Sequence, residues 1–217
     1  MDEAAKDCAA SSIAGEGRAS AEQQRGQQQQ QDEAAKNRTV FVTVGTSKFE
    51  ALIRAVDRPE FAAALAAKDY TRLIIQKGAG KYVPCQLVPA GTTAAQHASG
   101  VWVEYFDFCP SLAAYMSSAA LVISHAGAGS VFEALLAQKL LIVVANPLMM
   151  DNHQAELADH LASMQVVIST SPEGLLSAVA SLGSTQLKPF PAKAACGIAE
   201  LLDQLMGGSA AAGDECV

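Results

Sequence analysis

The sequence has no closely spaced cysteine pairs and no cluster of basic residues, and each absence argues against a class of protein. Its five cysteines are widely spaced and form no C-x-x-C pair, which argues against a disulfide framework and a structural zinc site. The formal net charge is −7, and an acidic chain without a basic face is a poor nucleic-acid binder. We therefore expect free thiols in a reducing compartment and no nucleic-acid partner.

Long apolar runs are lacking as well. The most apolar region, residues 121–150, is interrupted by charged and polar side chains, so it is not expected to span a membrane. No early apolar run resembles a signal peptide. If the protein acts at a membrane, we expect another molecule to hold it there.

Metal-ligating patterns are also missing. The four histidines are not spaced as metal ligands, and no Asp-x-Asp pair is present to hold a divalent cation beside a diphosphate. We expect a metal-independent chemistry in which a helix dipole and backbone amides stabilise negative charge.

Composition divides the chain into three parts. Residues 1–38 are rich in Ala, Gln, Glu, Ser and Gly, with a glutamine run at 27–31, which predicts a disordered extension. The hydrophobic content of 50% is enough for one sizeable core, so residues 39–207 are expected to form a single domain. Residues 208–217 are expected to be a frayed tail.

Apolar runs of strand length alternate with helical patterns through the predicted domain. Strands are predicted at 40–44, 72–76, 101–105, 121–123, 140–144 and 166–168. Helices are predicted at 49–56, 60–67, 110–118, 131–138, 151–163, 171–181 and 194–206, and residues 82–100 are predicted to be irregular with room for an added strand. Continuously apolar strands are typical of a parallel sheet covered on both faces. We therefore predict an α/β fold, a doubly wound, mostly parallel Rossmann-like sheet of about six strands that binds ligands at their carboxyl ends.

The most informative segment is Ser124-His125-Ala126-Gly127-Ala128-Gly129-Ser130, which joins a predicted strand to a predicted helix. A turn of small residues leaves unpaired amides at the positive end of the helix dipole, which favours a phosphate. Gly127 and Gly129 would let the backbone approach a diphosphate without a side-chain clash. The alternative is that both glycines serve a tight turn alone.

Glu133 lies one turn into the same helix, and two interpretations of it remain open. Its carboxylate could accept hydrogen bonds from both hydroxyls of a ribose, while Ser130 donates to a phosphate. Ser130 and Glu133 also fit the S-x-x-E capping box, in which both would cap the helix.

Three further loops are predicted at the same edge of the sheet: Gly45-Thr46-Ser47, Lys77-Gly78-Ala79-Gly80 and residues 146–154. In the last loop, Asn152, His153 and Gln154 offer amide and imidazole groups that suit sugar hydroxyls. The alternative is a solvated helix start with Asp151 as its N-cap. The convergence of the loops predicts a ligand pocket.

His125 directly follows the predicted strand and has three candidate roles. As a general base it would deprotonate an acceptor hydroxyl. As an imidazolium it would stabilise a leaving phosphate. As a core histidine bonded to the backbone it would do neither.

Three segments together resemble a known family: 42–46 (V-T-V-G-T), 124–130 (S-H-A-G-A-G-S) and 148–158, which contains N-H-Q-A-E-L-A. They are similar to the soluble catalytic subunits of the eukaryotic UDP-N-acetylglucosamine transferase of N-glycan assembly. That family is the carboxyl-terminal, donor-binding half of a GT-B glycosyltransferase, similar to the matching half of the bacterial transferase that makes lipid II. The resemblance runs from about Thr39 to Gly207.

The resemblance implies a two-subunit enzyme on the cytosolic face of the endoplasmic reticulum. A membrane-anchored partner supplies the acceptor half, and the helix at 194–206 packs on that partner. The pair transfers GlcNAc from UDP-GlcNAc to GlcNAc-diphosphodolichol with inversion, and the donor is a substrate, so no cofactor is implied. Glu133 would hold the ribose, the Gly127–Ser130 turn the diphosphate, and His153 and Gln154 the GlcNAc hydroxyls. The general base is His125 or a residue of the partner.

Two features depart from the family. Lys48 follows Thr46-Ser47 where a second Thr or Ser is usual, and the glutamine-rich extension is not a family feature. Two other functions stay open: a Rossmann-type dinucleotide-binding module and a non-catalytic scaffold. Against the first, Phe132 occupies the third glycine position of G-x-G-x-x-G, where bulk prevents close helix packing.

Overall fold

The computed structural model describes residues 38–146 and 152–191, with side chains except at positions 152–154. The predicted extension before Arg38, the predicted helix at 194–206 and the tail at 208–217 lie outside these residues, and so does Asp151.

A mostly parallel sheet forms the centre of the fold. Its strands are β1 (Thr39–Thr43), β2 (Arg72–Gln76), β3 (Ala94–Gln96), β4 (Trp102–Phe106), β5 (Leu121–His125), β6 (Leu140–Val144) and β7 (Ile168–Thr170). The order is β3-β4-β2-β1-β5-β6-β7, and every neighbouring pair is parallel except β3 with β4. The predicted doubly wound α/β sheet is confirmed. The described residues hold seven strands, because the segment predicted to be irregular adds β3 at the edge.

Six helices flank the sheet within the described ranges: α1 (Glu50–Val56), α2 (Pro59–Ala66), α3 (Ala113–Ser118), α4 (Ala128–Leu136), α5 (Asn152–Ser163) and α6 (Leu175–Ala180). Three predicted helix starts are wrong. Helix α3 begins at Ala113 rather than Pro110, and α4 begins at Ala128 rather than Val131. Helix α6 begins after Gly174, because the N–H of Gly174 donates to the carbonyl of Ser171 in a separate turn (3.1 Å).

The alternating direction of successive side chains along each strand explains why helices cover both faces of the sheet. On β1, Val40 and Val42 belong to one hydrophobic cluster and Phe41 to the other. Successive side chains of a strand point to opposite faces, so an all-apolar strand needs a covering layer on each side. The first cluster includes residues of α1, α2 and α6, and the second includes residues of α3, α4 and α5.

The strand order reverses at β1. Thr43, at the end of β1, pairs with Gln76 of β2 on one side and with Ser124 of β5 on the other. The chain thus builds one half of the sheet with β2, β3 and β4 and the other half with β5, β6 and β7. Connections that depart in opposite directions leave a crevice at the carboxyl ends of β1 and β5, which is where such sheets bind ligands.

A buried carboxylate fastens the long connection that follows β2. Asp57 is fully buried at the end of α1 and accepts hydrogen bonds from the backbone N–H groups of Cys85, Gln86 and Leu87 (2.8 to 3.3 Å). The Tyr82 hydroxyl donates to the same carboxylate (2.7 Å). Burial is the larger cause, and this bond to Asp57 the next, of a pKa of Tyr82 that is raised above its ordinary value.

We expect Asp57→Ala to destabilise the protein strongly, because it leaves the Tyr82 hydroxyl and three backbone N–H groups, including the buried one of Leu87, without their acceptor. The expected loss is about 3 kcal/mol in the free energy of unfolding, measured by urea titration. Asp159→Ala, at an exposed position of α5, is the matched control and should change the free energy by less than about 0.5 kcal/mol. Similar losses in the two variants would contradict this role of Asp57.

Candidate functional site

The turn between β5 and α4 takes its shape from the backbone of His125. The carbonyl oxygen of His125 accepts hydrogen bonds from the N–H of Gly127 and from the hydroxyl of Ser124, each at 2.8 Å. Ser124 is fully buried, so its hydroxyl shapes the turn and is not exposed to a ligand. Gly127 is the N-cap of α4, with φ of −81° and ψ of 123°.

The first turn of α4 is open at its amino-terminal end. The N–H groups of Ala128, Gly129 and Ser130 precede the first bond of the helix, which runs from the N–H of Val131 to the carbonyl of Gly127 (3.1 Å). A β-carbon built at Gly129 would meet no described atom within 4 Å. Gly129 is exposed and Ala128 and Ser130 are half-buried, so these amides at the positive end of the dipole lie at an accessible surface, an arrangement that can hold an anion.

The capping-box interpretation of Ser130 and Glu133 is wrong. The N-cap residue is Gly127, and no side chain caps the helix. Glu133 is exposed and makes no hydrogen bond or ion pair with the described part of the chain. Its carboxylate is therefore available to a ligand one turn beyond the free amides.

The imidazole of His125 explains two of the glycines. A β-carbon on Gly127 would collide with Nε2 of His125 and lie 2.7 Å from its Cε1, and one on Gly45 would lie 2.9 Å from Cε1. Gly45 also has a φ of +58°, which favours glycine. The ring thus fits between the turn after β1 and the start of α4, and it joins them. Gly129 has no such steric reason to be glycine.

Burial controls the charge of His125. The side chain is 8% exposed, and this desolvation lowers the pKa of the imidazole, against a smaller opposing effect from the backbone of Thr43. Nδ1 is buried and has no hydrogen-bond partner within the described residues. The neutral form is therefore favoured near neutral pH, which weakens the imidazolium role.

The turn after β1 lies against the His125 ring. The N–H of Ser47 donates to the carbonyl of Val44 (3.0 Å), which closes a tight turn with Gly45 inside it. Thr46 is exposed and Ser47 is half-buried, so the predicted turn residues lie beside the open edge.

Sequence reasoning missed Gln76, which lies at the end of β2 and is 1% exposed. Its Oε1 accepts from the hydroxyl of Thr43 (2.7 Å) and from the N–H of Val44 (3.1 Å). Its Nε2 donates to the carbonyls of Gly45 (2.8 Å) and Asp107 (3.0 Å). A polar residue directly after three apolar residues of a predicted strand is the signal that could have identified it.

The loop at 77–80 supports the turn after β1. A β-carbon on Gly78 would lie 2.7 Å from the carbonyl oxygen of Ser47, so the two loops are in close contact. The Lys77 ammonium donates to the Gly80 carbonyl (3.2 Å) and pairs with the Asp107 carboxylate (2.9 Å). Lys77 is 7% exposed, so its charge is used within the protein.

Strand β6 ends at the same edge. The N–H of Ala145 donates to the carbonyl of Thr170 (3.0 Å), and α5 begins at Asn152. The side chains of Asn152, His153 and Gln154 lie outside the described residues, so their contacts with a sugar stay a prediction.

An open helix start at the reversal point of a doubly wound sheet is the ligand-binding geometry of a Rossmann-like fold. Comparison with known proteins narrows this to one class, the Rossmann-like half of a GT-B glycosyltransferase. The fold of MurG from Acinetobacter baumannii matches with a TM-score of 0.54 at 19% identity, over 79% of this chain and 50% of that one. Residues 39–205 match the glycosyltransferase family 28 C-terminal domain, and the chain belongs to that family.

Similar proteins of known function support the same family assignment. The Saccharomyces cerevisiae UDP-N-acetylglucosamine transferase subunit ALG13 is 32% identical over 181 residues, which cover 72% of this chain and 90% of that protein. The Homo sapiens protein of the same name is 42% identical over 122 residues, 56% of this chain and 10% of that protein. An NMR structure of ALG13 matches with a TM-score of 0.59 at 30% identity, over 77% of this chain and 96% of that one. The resemblance noted in the sequence is confirmed.

In the ranges that the structure describes, no helix combines the length and the apolar character needed to cross a bilayer.

We expect alanine substitutions at Gly127 and at Gly129, in the turn between β5 and α4, to differ in their effect on stability. Gly127→Ala should lower the free energy of unfolding by about 2 kcal/mol, because its β-carbon overlaps the His125 ring. Gly129→Ala should leave it unchanged or raise it by about 0.5–1 kcal/mol, because the position is open and helical. Urea denaturation of both variants tests this, and equal losses would disprove the steric distinction.

The lowered pKa of His125 predicts a pH dependence of stability. The unfolded state takes up a proton near pH 6.5 and the native state only at lower pH, so stability should fall as pH drops below about 6.5. Denaturation from pH 5 to 8 should show a smaller decrease for His125→Gln than for the wild type. His160→Gln, at an exposed histidine, is the control and should keep the wild-type slope. A wild-type slope in His125→Gln would refute the assignment.

Proposed function

We propose that this chain binds UDP-GlcNAc at the carboxyl edge of β1 and β5 as the donor-binding part of a two-subunit transferase. The observation that carries the proposal is the pairing of free amides at Ala128–Ser130 with an unengaged carboxylate at Glu133. The amides suit a diphosphate, and the carboxylate suits the two hydroxyls of a ribose. The relatives are UDP-N-acetylglucosamine transferase subunits by name, which supports the same donor.

The proposed reaction is an inverting displacement. The hydroxyl of a GlcNAc-diphosphodolichol acceptor attacks the anomeric carbon of the donor GlcNAc, and the bond from that carbon to the UDP oxygen breaks. UDP leaves with the bonding electrons, and the amides at the start of α4 stabilise its new charge. His153 and Gln154 would hold the sugar hydroxyls, as the resemblance implies, and no metal or cofactor is required.

The acceptor proton needs a base. His125 is neutral but buried, and its ring is held between Gly45 and Gly127. We therefore propose that His125 lines the phosphate side of the site and that the partner subunit supplies the base. The partner is proposed to be membrane-anchored, to bind the lipid-linked acceptor and to hold this chain at the cytosolic face of the endoplasmic reticulum.

Transfer measured with and without the membrane subunit tests the function directly. The complex should transfer GlcNAc from UDP-GlcNAc to a dolichol-type diphosphate acceptor, and this chain alone should not. Because the amides rather than a metal are proposed to carry the charge, excess EDTA should leave the rate unchanged. A complete complex that transfers no GlcNAc would refute the proposal.

Glu133→Ala should reduce UDP affinity about tenfold, because it removes a charged hydrogen-bond acceptor for the ribose. Calorimetric titration with UDP and with 2′-deoxy-UDP sharpens the test. The wild type should prefer UDP, whereas the variant should bind the two alike.

Glu60→Ala is the control for Glu133→Ala, since it removes the same charge from an exposed site on α2. It should bind UDP as the wild type does. Unchanged UDP affinity in Glu133→Ala would instead favour a scaffold that binds no nucleotide.

A further inference from the structure

We infer that Thr43 and Gln76 are positioning residues, which set the turn after β1 and, through it, the phosphate-binding start of α4. This inference rests on the proposed function for its effect on nucleotide binding. Neither residue is exposed to a ligand, with 0% and 1% of their surfaces accessible. Their influence therefore has to pass through the backbone that they hold.

The two side chains form a closed set of hydrogen bonds. The Thr43 hydroxyl donates to Gln76 Oε1 (2.7 Å) and accepts from the N–H of Gly45 (3.1 Å). The four bonds of the Gln76 amide, to Thr43, Val44, Gly45 and Asp107, use both of its N–H donors and both lone pairs of its oxygen. A buried network in which every hydrogen-bonding group has a partner favours one arrangement of the segments that it joins.

These bonds hold both backbone polar groups of Gly45, which belong to the two peptide units that flank its α-carbon. Its N–H is held by Thr43, and its carbonyl is held by Gln76. Without them, a glycine with φ of +58° has many other conformations available.

Contacts continue from Gly45 to the start of α4. The His125 ring packs on Gly45 on one side and on Gly127, the N-cap of α4, on the other. A shift of Gly45 would therefore move the ring or the N-cap, and with it the amides of Ala128, Gly129 and Ser130. An unbroken series of packed groups thus connects Gln76 to the proposed diphosphate site.

If Gln76 served only to fill the core, its polar amide would not be needed. The preceding residues of β2, Leu73, Ile74 and Ile75, fill the core with apolar side chains. An apolar residue at 76 could fill the same space, but it could not orient the carbonyls of Gly45 and Asp107.

The test compares Thr43→Val, which keeps the shape and removes the hydroxyl, with Thr43→Ser, which keeps the hydroxyl. We expect Thr43→Val to weaken UDP binding about tenfold and Thr43→Ser to stay within about twofold of the wild type. In the complete two-subunit enzyme, KM for UDP-GlcNAc should follow the same order. Gln76→Met should behave as Thr43→Val does.

Leu65→Ala controls for a general loss of stability, since Leu65 is fully buried on α2 and touches none of these bonds. It should lower the melting temperature at least as much as Thr43→Val does, yet keep wild-type UDP affinity. Equal affinity losses in Leu65→Ala and Thr43→Val, or no rescue by Thr43→Ser, would overturn the inference.

A readout without nucleotide separates this inference from the proposed function. The NMR amide signals of Gly45, Gly127 and Gly129 should all shift in Thr43→Val and stay near their wild-type positions in Thr43→Ser. A shift confined to Gly45 would disprove the coupling. If these shifts occur but the wild type binds no UDP, the proposed function fails while the positioning role stands.

Discussion

The packing of one imidazole between two backbone turns is the constraint on which the rest of the site depends. His125 ends β5, and its ring lies against Gly45, after β1, and against Gly127, before α4. The sheet reverses its strand order between β1 and β5, so these turns leave it in opposite directions. The ring joins the turns where the crevice opens, and its size requires glycine on both sides.

This packing also determines the electrostatics of the edge. Because the ring is buried, its pKa is lowered and it adds no fixed positive charge near neutral pH. The positive potential at the start of α4 therefore comes from backbone dipoles, which do not titrate. The ammonium of Lys77, on the neighbouring loop, is neutralised by Asp107. Such an edge suits the proposed diphosphate, which oriented amides would hold, with Glu133 as the proposed acceptor for hydroxyl groups beyond it.

Much of the fold and part of the site could be predicted from the sequence. Continuously apolar strands such as 140–144 require cover on both faces, and this placed the small-residue turn at the carboxyl edge. The sequence predicts that α4 begins at Val131, where a helix-like run starts after the small-residue turn. In the structure the helix begins at Ala128, since the His125 carbonyl draws the Gly127 amide into the turn. A local sequence motif cannot show which residue becomes the N-cap here, because that choice depends on the path of the backbone as it leaves β5.

The sequence by itself determined the fold class, the family and the polar groups at the edge, because hydrophobic periodicity and short motifs are local properties of the chain. Tertiary structure alone decided which groups are free and which are used internally. Within the described residues Glu133 is left unpaired, whereas Lys77 and Gln76 use their polar atoms in bonds to distant segments of the chain. The physical reason is that hydrogen-bond partners come from different strands, with Gln76 more than thirty positions from Thr43. Only folding brings such residues within bonding distance.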